Sequence, residues 1–304
     1  MQPVSARYET VKRLSSAHAL NTLCETLEIS RSGYYAWLNR KPGKRTLEDV
    51  AIRREILKAH SAAPTYGADN IHADVREKLV CGRNRVRRLM KEMGVRSIRK
   101  RKYKATTNSR HNHSVSPDLT KTVMVSKPNQ VWVSDISYIQ TGEGWLYLAI
   151  VKDLFTREIV GYATGDRITS GLMESALKNA VLRYRPARGL ICHSDRGVQY
   201  CCVTYRELLQ RHGFVSSMSR KGNPYDNAVA ENFFSCIKCE MVYLSTFETR
   251  RDAALAVFQY IDGFYNRRRR HESLGRISPH EFRRRWEAAS AGSRWRVPVS
   301  GNDA

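Results

Sequence analysis

QVWVSDISYIQTGEGWLYLAIVKDLFTREIVGYATG, residues 130–165, decides the fold. Apolar and polar residues alternate over 130–140, TGEG supplies a turn, and WLYLAIVKD resumes as a mostly apolar run. A period of two on either side of a glycine-bearing turn predicts a β-hairpin, and EIVGYATG predicts a third strand. Downstream the period changes. SGLMESALKNAVLRY (170–184) reads as an amphipathic helix, LICHSD (190–195) as a short buried strand, and VTYRELLQRHG (203–213) as a helix. FVSSMS (214–219) reads as a last strand, AVAENFFSCIKCEMV (228–242) as a helix, and TRRDAALAVFQYIDGFYN (249–266) as a further long helix. Three strands, then helix, strand, helix, strand and helix, make an α/β unit with a mixed five-stranded sheet flanked by helices.

The region before it is all-α. Leu20, Leu23, Cys24 and Leu27 repeat at helical spacing, and Ser30 is a natural N-cap for RSGYYAWLN (31–39). This predicts a helix-turn-helix-like pair over 17–39. In such a pair the second helix enters the major groove with its first residues, here Arg31, Ser32 and Tyr34; a plain helical hairpin without DNA contact is the other reading. LEDVAIRREILKAH (47–60) places Val50, Ala51 and Leu57 on one side, and ADNIHADVREKL (68–79) repeats Ile71, Val75 and Leu79. Asn84 is placed to cap NRVRRLMKEMG (84–94), with Val86, Leu89, Met90 and Met93 inward and Gly94 as the stop. Arg85, Arg87, Arg88 and Lys91 then fall on the solvent side. RSIRKRKYK (96–104) follows, and its Arg99, Lys100, Arg101 and Lys102 resist packing and suit phosphates. The expected divisions are a helix-turn-helix-like segment (1–45), a helical DNA-binding module with a basic tail (46–104), a polar linker (105–127), the α/β core (128–285) and a tail (286–304).

Charge supports the same partition. The 304 residues carry a net charge of +23, yet residues 1–110 hold +15 of it while residues 128–240 hold only +2. A nearly neutral middle between basic flanks suits a catalytic domain between arms that grip a polyanion. No apolar run reaches membrane-spanning length and the N-terminus has no apolar signal core, so a cytoplasmic protein is expected. Seven cysteines are then expected as reduced, packed thiols, and Cys201, Cys202, Cys236 and Cys239 have poor spacing for zinc. His111 and His113, in the linker, read as solvated.

Three acids stand in distinctive contexts: Asp135 in VWVSDISYI, Asp195 in ICHSDRGVQY and Glu231 in NPYDNAVAENFFSCIK, with 35 residues between the last two. Strand alternation puts Asp135 on one face with Val131, Val133 and Ile139. A carboxylate there needs a cation or a buried basic partner. Asp195 ends a strand where α/β sites gather, although an Asp capping a turn occurs in the same place. Glu231 lies early in a helix, where the helix dipole alone also favours Glu. Three gathered carboxylates repel one another unless a cation lies among them, and magnesium held in that way is the usual means of cutting phosphodiesters. Lys238 is seven residues past Glu231 on the same helix face, positioned to hold a DNA phosphate.

VWVSDISYI, WLYLAIVKDLFTREIVGYA, HSDRGVQY, NPYDNAVAENFFSCIK and FYNRRRRHESLGRISPHEF closely resemble the DDE transposases of the bacterial insertion-sequence-three family. The resemblance runs over about 10–100 and 125–285. It implies an RNase H-like, retroviral-integrase-type core with Asp135, Asp195 and Glu231 as ligands of two Mg²⁺ or Mn²⁺ ions and Lys238 as the trailing basic residue. It implies nicking and strand transfer at the element's ends, with double-stranded DNA ends and target as partners and a homo-oligomer on DNA. It also implies a possible upstream-frame partner product; no leucine heptads open this chain, which looks like the downstream product alone. Arg267, Arg268, Arg269 and Arg270 are expected to hold target or flanking DNA. The rival readings are a non-catalytic DNA-binding regulator, an RNase H-like nuclease that only hydrolyses, and a nucleic-acid-coating protein.

Overall fold

A computed structural model of the chain describes residues 3–98, 116–120, 122–195, 197–219 and 228–290. Three helices open it: α1 (Val4–Leu14), α2 (Leu20–Thr26) and α3 (Arg31–Leu38). Ser30 caps α3 as its residue type predicts, its hydroxyl accepting from the Gly33 amide. Val11, Leu23 and Tyr34 form the small core of this unit.

The next unit packs α4 (Lys44–Ala62), α5 (Ala68–Arg76) and α6 (Arg83–Glu92) around Ile52, Ile56, Ile71, Val75, Val86, Leu89 and Met90. The expected stripes on α5 and α6 are buried. The stripe on α4 is not the expected one: Val50 is 61% exposed and Leu57 51%, while Ile52 and Ile56 are sealed. Both sets keep helical spacing, and the packing partners choose between them. Gly82, not Asn84, precedes α6, while Gly94 takes the left-handed conformation that stops the helix.

The core sheet has the strand order β3-β2-β1-β4-β5. β1 (Val131–Thr141), β2 (Gly144–Asp153) and β3 (Ile159–Gly165) form the antiparallel meander that residues 130–165 predict. β4 (Ile191–Ser194) joins β1 in parallel, and β5 (Val215–Met218) joins β4 in parallel, so the sheet is mixed. α7 (Ser170–Tyr184), the short α8 (Val198–Cys201) and α9 (Val203–His212) cover one face over Trp132, Ala149 and Val151. α7 lies close against β3 because Gly161 has no side chain; a Cβ there would stand 2.4 Å from the Ala176 carbonyl oxygen.

α10 (Ala228–Glu240) and α11 (Arg250–Phe258) cover the other face over Ile139, Leu148, Ile150 and Phe233. A wide π-helical turn, Gln259–Tyr265, continues α11, and α12 (Pro279–Ser290) closes the described chain. α12 crosses the expected boundary at 285. It is held by a buried Arg283–Glu158 ion pair and by the Arg283 guanidinium 4.5 Å over the Tyr184 ring.

Both outer strands have partners beyond the sheet. The Asn266 side chain bonds the Ile159 amide and carbonyl of β3, each at 2.9 Å. On β5, the Met218 amide donates to the Pro117 carbonyl and the Leu119 amide to the Ser217 hydroxyl. Part of the expected linker is thus tied to the sheet. All seven cysteines are unbridged thiols. No helix among the described residues is long and apolar enough to cross a membrane.

Candidate active site

Asp135 sits in the middle of β1, on the face that α10 covers, where odd-numbered residues of the strand point. Asp195 immediately follows β4, the parallel neighbour of β1. Glu231 lies in the first turn of α10 and is exposed. The topology therefore brings three distant sequence islands to two adjacent strands and the helix across them.

Their electrostatics record the proximity. The Asp135 carboxyl is pushed up to about 8, first by burial and then by the negative charge of Asp195, with Glu231 adding to it. The Ile136 amide, which donates to Asp135 Oδ1 at 2.8 Å, and the Lys238 charge pull the other way. Asp195 Oδ1 accepts from the Gly197 amide at 2.9 Å, so this residue also caps its turn. Lys238 is half-buried, 5.2 Å over the Tyr138 ring, and burial lowers its pKa despite the attraction of Asp135. Lys238 thus lies over the Tyr138 ring and near enough to Asp135 for the two charges to act on each other.

The donors fit a hard divalent cation. All three are carboxylates, the oxygen ligands that Mg²⁺ and Mn²⁺ take. The Tyr200 hydroxyl is buried without a hydrogen-bond partner, and its ionisation is opposed first by burial and then by the charges of Asp195 and Asp135. An unsatisfied donor beside two acids is what an oxygen-rich ligand would satisfy. Among the described residues no three acidic, histidine or cysteine side chains already form a closed ion-holding group. The carboxylates sense one another across a site that is not a closed cage.

Residues 125–224 match the integrase core domain family, residues 231–286 a second integrase core domain family, and residues 46–103 an HTH-like domain. The uncharacterized 31 kDa protein of insertion element IS600 from Shigella sonnei is 45% identical over 88% of this chain and 100% of its own length. The transposase InsF for insertion sequence IS3A of Escherichia coli K12 is 34% identical over 91% of this chain and 98% of its own. The chain belongs to this insertion-sequence transposase family. Among solved structures, the catalytic core domain of BIV integrase aligns with 54% of this chain and 99% of its own, at a TM-score of 0.41 and 17% identity.

The DNA-facing residues expected from this transposase sequence divide sharply. Arg31 and Ser32 are exposed on α3, but Tyr34 is 4% exposed and packs against Tyr8 and Trp37. Tyr34 is therefore a core residue, not a reading residue; Tyr35, 40% exposed, holds the outer face that the helical period would have assigned to it. Arg85 is bound to Asp49 and Glu48, and Arg88 to Asp49 and Glu92, so both tie α6 to its own unit and neither stands free on the solvent side. Arg87 is exposed, with Asp69 3.7 Å away.

In the arginine run, Arg267 and Arg268 are exposed, whereas Arg269 holds Glu240 and Arg270 holds Asp74 and Glu77. Arg269 and Arg270 are therefore internal ties and not DNA contacts: one acid claims Arg269 and two claim Arg270. Arg99, Lys100, Arg101 and Lys102 lie outside the described residues, as do His111 and His113.

Sequence reasoning did not single out Lys152 or Tyr200. Lys152, buried in β2, donates to the Val229 carbonyl at 2.9 Å, two residues before Glu231, and burial lowers its pKa to about 7. Its signal was present: a lysine inside the apolar run YLAIVKD has no solvent to reach.

Proposed function

We propose that this chain is a DDE transposase that nicks the DNA at its element's ends and joins the freed 3′-hydroxyl to a target phosphodiester. The observation that carries the reading is the gathering of three acids remote in sequence: Asp135 on β1, Asp195 just after its parallel neighbour β4, and Glu231 in the first turn of α10, near enough that Asp195 and Glu231 raise the Asp135 carboxyl. Asp135, Asp195 and Glu231 would hold two Mg²⁺ ions. Bound there, the ions supply a lowered pKa for the attacking oxygen and charge stabilisation for the leaving one. The protein's own side chains do the rest. Tyr200, at the buried end, excludes bulk water from the acids. Lys238, fixed over Tyr138, offers its ammonium to a non-bridging phosphate oxygen of the DNA strand beside Asp135. No protein nucleophile is required, because water and then a DNA 3′-hydroxyl attack in line.

The helical module at 46–98 and the exposed residues Arg31, Ser32, Arg87, Arg267 and Arg268 supply the grip on DNA. Phosphate contacts carry most of the affinity, and base contacts in the element's terminal repeats carry the choice. The complex on DNA is a homo-oligomer, to which an upstream-frame product of the same element contributes where one is made. The protein acts in the bacterial cytoplasm, on the nucleoid.

The test is strand transfer with end-bearing duplex DNA in Mg²⁺. Asp135→Asn should abolish both nicking and joining while leaving equilibrium binding to the ends close to wild type. Joined products from the Asp135→Asn protein would sink the proposal. Hydrolysis without any joining by the wild type would convert it to a nuclease.

A further inference from the structure

Arg269 and Arg270, adjacent in sequence, reach in opposite directions. The Arg269 guanidinium makes three hydrogen bonds to the Glu240 carboxylate, at 2.7, 2.9 and 3.0 Å, and a fourth to Cys236 Sγ at 3.1 Å. Both partners lie on α10, the helix whose first turn carries Glu231. Tyr260 completes the grip by donating to Glu240 at 2.7 Å. The Arg270 guanidinium bonds Asp74 on α5 and Glu77 at its C-cap, while also donating to the Arg276 carbonyl at 2.8 Å. Its backbone amide donates to the Tyr66 hydroxyl of the same helical module at 2.8 Å. Arg276 adds a bond to Asn70 at 3.0 Å, and the Phe264 ring lies 6.3 Å from that of Tyr66.

We infer that Arg269 and Arg270 form a strut that fixes the helical DNA-binding module to the helix bearing Glu231, so that DNA held by the module is presented to the acids in one geometry. Arg270 is a positioning residue in this scheme; it touches neither DNA nor the reacting atoms. The inference rests on the transposase reading above, since it assigns consequence to the placement of Glu231.

Two features favour a strut over an ordinary surface contact. The Arg269 and Arg270 side chains are only 14% and 11% exposed, so both arginines are largely withdrawn from water, together with Glu240 and, in part, Asp74, while Glu77 stays on the surface. A desolvated arginine with two acceptors has a strict geometry, and losing Arg270 leaves the partly withdrawn Asp74 without its cation. Arg267 and Arg268, by contrast, remain exposed. The run is therefore two residues that face solvent followed by two that lock the fold.

The experiment uses the full chain and duplex DNA bearing a pre-nicked element end. Arg270→Ala is expected to lower the strand-transfer rate at saturating DNA by about tenfold to a hundredfold, the range for a misplaced reactant. Its affinity for the end DNA and the salt dependence of that affinity stay as in the wild type. The charge swap Arg270→Glu with Asp74→Arg is expected to recover most of the rate. An unchanged rate in Arg270→Ala overturns the strut. So does a loss that appears in affinity with a salt slope reduced by about one, because that is the signature of a phosphate contact. If Arg270→Ala does not fold, the swap decides: a folded swap that transfers strands supports the strut, and a folded swap that binds ends without transferring them overturns it. Asp135→Asn runs alongside as a control. Loss in Asp135→Asn with a normal Arg270→Ala rejects the strut alone, whereas activity in Asp135→Asn rejects the transposase reading and the strut with it.

Discussion

The helical module and the acid cluster of the sheet domain treat charge in opposite ways. In the module, Arg85, Arg88, Lys58 and Lys78 each sit against Asp or Glu of the same unit, and Glu55 is pulled down to about 2, first by Lys58 and then by Lys78. In the sheet domain, Asp135 faces two further acids, and its strongest cationic neighbour only partly offsets them. One region neutralises its charges internally; the other concentrates like charge at a cost in stability. A net charge of +23 therefore says little about which cations are available to DNA, whereas an uncompensated acid marks a place where the fold works against itself.

The largest expected effect tests that contrast at Asp135. A carboxyl whose folded-state value lies at about 8 holds its proton in the native chain after the unfolded chain has released it at 3.8. Stability should therefore fall as pH climbs through that window. Because divalent ions favour the ionised form, the gain in melting temperature on adding Mg²⁺ should grow with pH. Asp135→Asn should flatten the first trend and remove the second, as read by thermal melting from pH 5 to 8.5 (roughly the window of linkage). Lys152, lowered to about 7 from 10.5, contributes the opposite slope above neutrality, so the comparison between wild type and Asp135→Asn isolates the carboxyl. A Mg²⁺ effect that survives in Asp135→Asn would break the contrast.

Core truncations come next. Phe233→Ala removes a ring from beneath α10 that lies 4.8 Å from Tyr265, and should cost about 3–5 kcal/mol in chemical denaturation. In the module, Ile56→Ala should cost about 2–5 kcal/mol, while Val50→Ala should change stability by less than about 0.5 kcal/mol. Equal losses at the two α4 positions would mean that Val50, despite its exposure, faces a partner. The smallest effect separates an exposed, loosely paired cation from a committed one. Arg87→Gln should reduce the salt slope of DNA binding by about one, and Arg85→Gln should leave it unchanged. Equal effects at the two positions would show that the pairing of Arg85 with Asp49 and Glu48 yields to DNA.

The sheet was legible because alternation and turn chemistry are local. The hairpin at 131–153, the α7 boundaries and the Ser30 cap all follow from residues within a few positions of one another. The three acids were legible as motif residues, and strand parity put Asp135 on the face that α10 covers. Other choices were made at long range and left no local trace. α4 has two apolar stripes, and only α5 and α6 decide that Ile52 and Ile56 face inward. The four arginines at 267–270 read as one block, yet Asp74, Glu77 and Glu240 claim the last two from places that the sequence does not put near them.

The amide of Asn266 and the segment around Pro117 have a consequence for assembly. An unprotected outer strand is a template on which another polypeptide can lay its own backbone and propagate a ribbon. Here β3 is met at Ile159 by a side chain that imitates a strand's donor and acceptor, and β5 is met by a piece of the polypeptide leading into the domain. Occupied in this way, neither border of the sheet offers a neighbouring molecule a free backbone ladder at these positions to extend.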